Sequence, residues 1–326
     1  MATYKGIQGF AIQNVTSDPT TVGQVWYNSS TTNFKFTGVQ VAASWASGGN
    51  LNTSRYGLGG AGTQTAGLGF GGNPPNDGTN ATEEYNGTSW ANGGNLGTAT
   101  RYASGCGTQT AALAIGGGPP TPANPSRKTQ EYNGTAWTNG GDYGVKAFYL
   151  AGCGTQTAAL GAGGISYNPA GGQIALNLTY EYNGSSWTAG GNLPSALRKN
   201  SGAGTQTAAL SIGGQTYNPT VFKNQTLEYN GSSWTSGGNL ANVQANGMAA
   251  GIQTAAVYFG GNSGPGVATE VYDGSSWTNS TNMNQPKNRA AGGGTATAAF
   301  VAGGQPGTST EEFTGGSPAT KTITTT

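Results

Sequence analysis

One string of residues returns six times along this chain, and no other feature limits the possible folds as strongly. Its clearest copy runs Glu181-Tyr182-Asn183-Gly184-Ser185-Ser186-Trp187, then Gly190-Gly191-Asn192-Leu193, then Gly204-Thr205-Gln206-Thr207-Ala208-Ala209-Leu210, and closes on Gly213-Gly214. Trp45, Trp90, Trp137, Trp187, Trp234 and Trp277 keep the period, at spacings of 45, 47, 50, 47 and 43 residues. Each copy is a set of short β-prone pieces between Gly and Asn turns. Such a unit cannot bury an apolar face alone, so the copies must pack on one another.

This period with this strand content predicts a β-propeller. Residues 198–234 display one blade. Ser201 to Gly204 reads as a strand of small residues that can lie near a crowded axis. Thr205-Gln206 turns the chain, and Thr207 to Ile212 makes a second strand that Gly213-Gly214 ends. Thr226 to Tyr229 is the third strand. Asn230-Gly231 reads as a two-residue hairpin turn into Ser232 to Thr235, the outer strand with Trp234. The last copy supplies Ala298 to Gly304 and Thr310 to Phe313 but no tryptophan, while Trp45 has no full copy before it. We therefore expect an all-β, six-bladed propeller of four-stranded antiparallel blades. The Trp45 strand completes the sixth blade and removes two open sheet edges. The expected boundaries are an attachment segment at 1–38, the propeller at 39–316 and a tail at 317–326. Within the first, Val22 to Asn28 and Asn33 to Gly38 form a hairpin around Ser29 to Thr32.

Composition narrows the functional classes. Charged residues make up 8% and glycines number 60, but the glycines fall at fixed places in each copy, so this is not low complexity. The net charge is +1 and the 13 basic residues are scattered, which argues against a nucleic-acid partner. No apolar run is long enough to insert in a membrane, and the start at Met1 to Ile7 lacks the apolar core of a signal peptide. The chain has no histidine, which removes Ser-His-Asp and Cys-His nucleophiles and most zinc, copper and iron sites. The acids outside the repeat positions are Asp18, Asp77, Glu83, Asp142 and Glu311, with Asp273 at a turn position usually held by Asn. None forms a convincing carboxylate pair. We expect no catalytic residue, no metal site, no cofactor and no enzymatic activity.

Residues that recur in nearly every copy read as structural. Glu84, Glu131, Glu181 and Glu228 precede the ring tyrosines and Glu312 precedes Phe313, with Glu270 and then Val271 in the fifth copy. A catalytic acid is needed once, not five times. The tryptophans read as inter-blade packing. Gln64, Gln109, Gln156, Gln206 and Gln253, with Ala296 breaking the set, read as turn residues; contact with a symmetric partner is the alternative. Cys106 and Cys153 stand where other copies have Ala61, Ala203, Ala250 and Gly293. That is a small, packed position where a thiol behaves as an apolar group; a disulfide between neighbouring blades is the alternative.

Variation concentrates in the connections from second to third strands: Asn73 to Ala81, Gly118 to Lys128, Ile165 to Leu178, Gln215 to Gln225, Asn262 to Ala268 and Gln305 to Ser309. Length variation in one set of loops on a rigid scaffold suggests a recognition face. The longest carry Tyr167 and Asn168, then Tyr217, Asn218 and Phe222, a composition suited to adaptable binding. These five are the candidate ligand-binding residues. Plugging the propeller mouth or packing on a neighbouring subunit are the other roles open to them.

The double glycines Gly71-Gly72, Gly116-Gly117, Gly163-Gly164, Gly213-Gly214, Gly260-Gly261 and Gly303-Gly304, followed in all but the last by a Tyr and then a Trp beyond a hairpin, resemble the kelch motif. Residues 22–38 resemble a short hairpin of tailed-phage structural proteins, fibres in particular, and the Ser/Thr/Asn/Gly-rich repeats are similar to kelch-like propellers of marine phages. The resemblance implies a virion protein, extracellular after host lysis, of tail-fibre or adhesin type. It implies as partners other virion proteins, further copies of the chain, and a host-surface glycan or protein. Trp26, Tyr27, Phe34 and Phe36 are then candidate assembly residues. A head-decoration or tail protein with protein contacts only, and a cellular kelch-type interaction or lectin module, remain as alternatives.

Overall fold

The computed structural model describes residues 13–16, 25–30, 32–37, 42–74, 78–119, 125–168, 170–262, 264, 266–305, 307–316 and 320–323. Every helix or strand among them is a β-strand. The chain divides into two units, Trp45–Thr314 and a terminal unit of Met1–Ser44 with Gly315–Thr326.

The larger unit is a six-bladed β-propeller. Blade 1 orders its strands Gly59–Thr63, Ala66–Phe70, Thr82–Tyr85 and Trp90–Asn92 from axis to rim. Blade 4 repeats this with Ser201–Gly204, Ala209–Ile212, Thr226–Tyr229 and Trp234–Ser236. Blade 6 takes Ala291–Gly294, Ala298–Ala302 and Thr310–Thr314 from the end of the chain and Ser44–Gly48 from its beginning. The Trp45 strand therefore closes the ring. The six inner strands neighbour one another in an unbroken cycle around the axis. Glycine is required there: a methyl on Gly60 would lie 2.5 Å from the Gly292 amide, and one on Gly105 would lie 2.3 Å from the Gly60 carbonyl.

Three recurring sets of side-chain hydrogen bonds tie blades to their predecessors, all three at five junctions and the tryptophan set alone between blades 5 and 6. All six tryptophans donate Nε1–H to a threonine Oγ1 on the third strand of the preceding blade, at 2.8–3.0 Å. In five blades the third-strand tyrosine donates its hydroxyl to the preceding blade's glutamate at 2.5–2.6 Å, as Tyr132 does to Glu84. The repeat glutamates are thus acceptors in a girdle. The Thr-Gln glutamines also bind inward. Gln156 Nε2, for example, donates to the Ala112 carbonyl at 3.0 Å and the Tyr132 carbonyl at 2.6 Å of the preceding blade. Gln64, Gln109, Gln206 and Gln253 do the same. Apolar clusters fill the space between these bonds, as where Leu160, Leu197, Leu227 and Trp234 pack together.

The turns differ from the expected two-residue form. Tyr229 lies opposite Trp234, so four residues, Asn230 to Ser233, make the outer loop. The physical reason is the asparagine side chain. Asn230 Oδ1 accepts the amides of Ser232 and Ser233, which organises a wider turn than Asn-Gly alone would make. Gly231 supplies the positive φ that this turn needs. In this blade the inner turn also has four residues, closed by the Thr205 amide on the Ala208 carbonyl, whereas in blade 1 Thr63 pairs with Ala66 and leaves only Gln64-Thr65 in the turn.

The terminal unit holds one sheet. Val25–Asn28 and Asn33–Thr37 form the expected antiparallel hairpin. Gln13–Val15 adds to it in parallel and Thr320–Ile323 adds on the other side. Within the tail, Thr320–Ile323 thus adds a strand to the N-terminal hairpin. Trp26 is fully buried and Tyr27 half-buried. The side chains of Phe34 and Phe36 lie outside the described residues.

Candidate functional site at the axial mouth

Twelve residues beyond each tryptophan, in the connection to the next inner strand, one residue adopts left-handed backbone. These are Gly57, Tyr102, Tyr149, Lys199, Asn246 and Arg289, with φ between 54° and 69°. Their peptide groups join in a closed ring. Tyr102 donates its amide to Gly57 at 2.8 Å, Tyr149 to Tyr102 at 3.1 Å and Lys199 to Tyr149 at 2.8 Å. Asn246 donates to Lys199 at 3.0 Å, Arg289 to Asn246 at 3.0 Å, and Gly57 to Arg289 at 2.6 Å. Left-handed backbone costs a non-glycine residue on the order of 1 kcal/mol or more. Here five non-glycine residues take it, held by the cycle of hydrogen bonds. The backbone at this position is the same in every blade, and the side chain is different in almost every one.

These side chains line a cavity of about 140 Å³ at the axial mouth. The Tyr102 and Tyr149 rings stack with centroids 4.2 Å apart and planes 26° from parallel. Phe148 packs edge-on against Tyr149 at 5.2 Å. Gly57 lets the stack lean over it, since a methyl there would lie 2.5 Å from the Tyr102 ring. Cations surround the aromatic plate. Arg101 lies 5.4 Å and Arg289 5.9 Å from the Tyr102 ring centre, and Lys199 lies 5.4 Å from that of Tyr149. Arg198 sits 4.6 Å from the Tyr217 ring centre. With the Gln215 amide turned so that its oxygen faces Arg198, it accepts from Nε at 3.1 Å and Nη2 at 2.8 Å.

The electrostatics follow from crowding like charges in a partly dry site. Burial pulls the Lys199 ammonium down to about 8, helped by Arg198 and Arg289. Burial and the neighbouring Tyr102 push the Tyr149 phenol well above its usual range. No aspartate or glutamate among the described residues lines the cavity. The basic residues, scattered in sequence, are therefore gathered in space: Arg101, Arg198, Lys199 and Arg289 converge on one mouth.

The loop residues singled out from sequence divide into two groups. Tyr167 lines a groove of about 170 Å³ together with Arg101, Tyr102, Phe148, Tyr149 and Gln173, so it joins the axial cluster. Its hydroxyl accepts from Gln173 Nε2 at 3.2 Å. Tyr217 is exposed and reaches the cluster through Arg198. Asn168 instead organises its own loop, its Oδ1 accepting the Gly172 amide at 2.7 Å. Asn218 occupies a left-handed position in a turn closed by Thr216 Oγ1, which donates to the Pro219 carbonyl and accepts the Val221 amide. Phe222 is half-buried and pairs through its backbone with Gln215.

The carboxylates are occupied elsewhere. Glu83 is buried with Arg55 at 2.7 Å, Glu311 accepts the amides of Asn284 and Gln285, and Asp273 accepts those of Ser275 and Ser276. Asp142 is exposed, and Asp18 and Asp77 lie outside the described residues. Cys106 and Cys153 are free, buried thiols, and burial pushes Cys153 up to about 12. Sequence reasoning missed the axial ring. Its signal was present: one position in phase with the tryptophans reads Gly, Tyr, Tyr, Lys, Asn, Arg while its surroundings repeat.

Compared with known proteins, the chain matches no family model, and no curated protein matches it.

Proposed function

We propose that this chain is a non-enzymatic structural protein of a tailed-phage virion whose propeller attaches the particle to a host-surface molecule. The kelch-like repeats and the hairpin at residues 22–38 support the virion assignment by resemblance. One observation carries the attachment role. A backbone ring identical in all six blades presents non-repeating side chains, Tyr102, Tyr149, Lys199, Asn246 and Arg289, around a concave mouth. Scaffolding needs only what repeats; recognition needs what differs. Tyr167 and Tyr217 extend the same surface toward the variable loops.

The test is binding of labelled protein to a panel of bacterial strains. Tyr102→Asn and Tyr149→Asn together tolerate left-handed backbone and should abolish binding to the strain that the parent protein recognises. Ser232→Lys, on the opposite face, should leave binding intact. Retention by the first variant with loss by the second would overturn the reading. Absence of binding to any strain, with the protein found only in contact with other virion proteins, would make it a scaffold component.

A further inference from the structure

The axial mouth combines three features that a single class of small ligand would use together. An aromatic plate, the Tyr102–Tyr149 stack, borders the cavity. Lys199 and Arg289 flank it, with Arg101 and Arg198 close by and no described carboxylate in the lining. The third feature is a donor with nothing to donate to. Asn246 lines the same cavity and is 7% exposed, and its Nδ2 has no hydrogen-bond partner. Arg289 Nε is likewise buried without an acceptor. A buried donor left unmade is costly; both atoms are closed to solvent, so a ligand oxygen meets them when these side chains turn into the cavity.

We infer that the axial mouth binds an acidic sugar unit, a pyranose ring bearing a carboxylate. The inference rests on the attachment reading, and specifies the ligand of that same site. The weakly polar face of a pyranose suits an aromatic plate, as flat C–H surfaces pack on tyrosine rings. The carboxylate suits the Lys199 and Arg289 charges. Ring hydroxyl oxygens offer acceptors to the Asn246 amide once it turns into the cavity. A bare inorganic anion would leave the plate unused. A nucleotide needs room for base, sugar and phosphate. The cavity of about 140 Å³ and its neighbour of about 170 Å³ together reach only the lower end of the roughly 300–1,000 Å³ of small-molecule sites.

The experiment is calorimetric titration of the full chain with D-glucuronate, D-glucose, inorganic phosphate and adenosine monophosphate. Glucuronate should bind about tenfold tighter than each of the others, the scale of one charge-assisted hydrogen bond. Lys199→Gln and Asn246→Gly should each weaken glucuronate by about tenfold while the thermal midpoint is held or raised. Glucose binding equal to glucuronate would overturn the inference, because the charges would then play no part. Equal or tighter phosphate or nucleotide binding would also overturn it, as would no glucuronate binding at all. Strain binding separates this from the attachment reading. If Lys199→Gln loses glucuronate but keeps full cell binding, the acidic-sugar site stands and attachment runs through another surface; if glucuronate fails to bind while strain binding persists, the inference falls and attachment stands. If glucuronate binds as expected and no strain does, the site stands and attachment falls.

Discussion

Phe313 and Val271 occupy, at the junction of blades 5 and 6, the two positions that at the other five junctions hold a tyrosine and the glutamate it donates to. Donor and acceptor are lost together. That pairing has a physical reason: a buried hydroxyl or carboxylate left without its partner is costly, whereas replacing both by apolar groups is nearly neutral. The same junction also lacks its glutamine clamp, since Ala296 stands where the others have Gln. Trp45 supplies the recurring bond that remains. Its Nε1 donates to Thr269 Oγ1 at 3.0 Å, and its ring lies 5.2 Å from both Phe259 and Phe313. Of the three recurring sets of inter-blade bonds, this junction keeps only the tryptophan's.

Restoring the pair should show coupling of a definite sign. Val271→Glu alone and Phe313→Tyr alone should each destabilise the propeller by about 1–2 kcal/mol, each leaving a half-satisfied polar group. The double variant should recover that loss and exceed the parent. A double-mutant cycle from denaturant unfolding measures it, with a coupling of at least about 1 kcal/mol expected.

The missing clamp can be added singly, because its acceptors are backbone carbonyls already present. Ala296→Gln should stabilise by about 1 kcal/mol, and Gln156→Ala should destabilise by a similar amount through loss of two hydrogen bonds. Thermal unfolding of the two variants beside the parent decides this. Equal midpoints would mean that the glutamines contribute nothing across the blades.

Stability should pass through a maximum near pH 10. Burial holds Lys287 and Lys199 down at about 8, below the ordinary 10.5. Between those values the unfolded chain binds more protons than the folded one, so stability rises with pH. Tyr85, Tyr132, Tyr182, Tyr229 and Tyr272 shift the other way. Burial, then the hydrogen bond to glutamate, pushes each up to about 12 from 10.0. Above pH 10 the unfolded chain loses those protons first, and stability falls through pH 12. Urea midpoints between pH 7 and 12 test both limbs. Lys287→Met, which removes a fully buried ammonium bonded to Gly303 and Ser309, should flatten the rising limb.

All six blades are complete between Ser44 and Thr314. Deleting 1–40 together with 317–326 should therefore leave a folded propeller with its unfolding transition intact. Deleting 1–50 should not, because it removes the Trp45 strand and reopens blade 6 to an exposed edge. Far-ultraviolet circular dichroism and the heat-unfolding transition separate the two.

The repeating architecture was legible in the sequence because its determinants lie within one copy or between adjacent copies. Strand order, the closing role of Trp45 and the structural use of the glutamates all follow from positions that recur in phase. The turns were misread at one level of detail. Asn230 looks like the start of a two-residue hairpin, and only the pairing of Tyr229 with Trp234 reveals the four-residue loop that its side chain caps. Asn168 and Asn218 read as binding residues from loop composition; in the structure Asn168 Oδ1 accepts the Gly172 amide of its own loop and Asn218 takes left-handed backbone.

The amino-acid sequence by itself determined the ring: six copies, each unable to bury its apolar face alone, must close on one another. Tertiary structure alone decided what meets at the axis. Tyr102, Tyr149, Lys199, Asn246 and Arg289 stand 43 to 50 residues apart, and no local rule joins them. Rotation from blade to blade turns that separation into adjacency, and a cycle of backbone hydrogen bonds holds each in left-handed geometry. The pairing of Thr320–Ile323 with Asn33–Thr37 is of the same kind, a contact between segments near the two ends of the sequence.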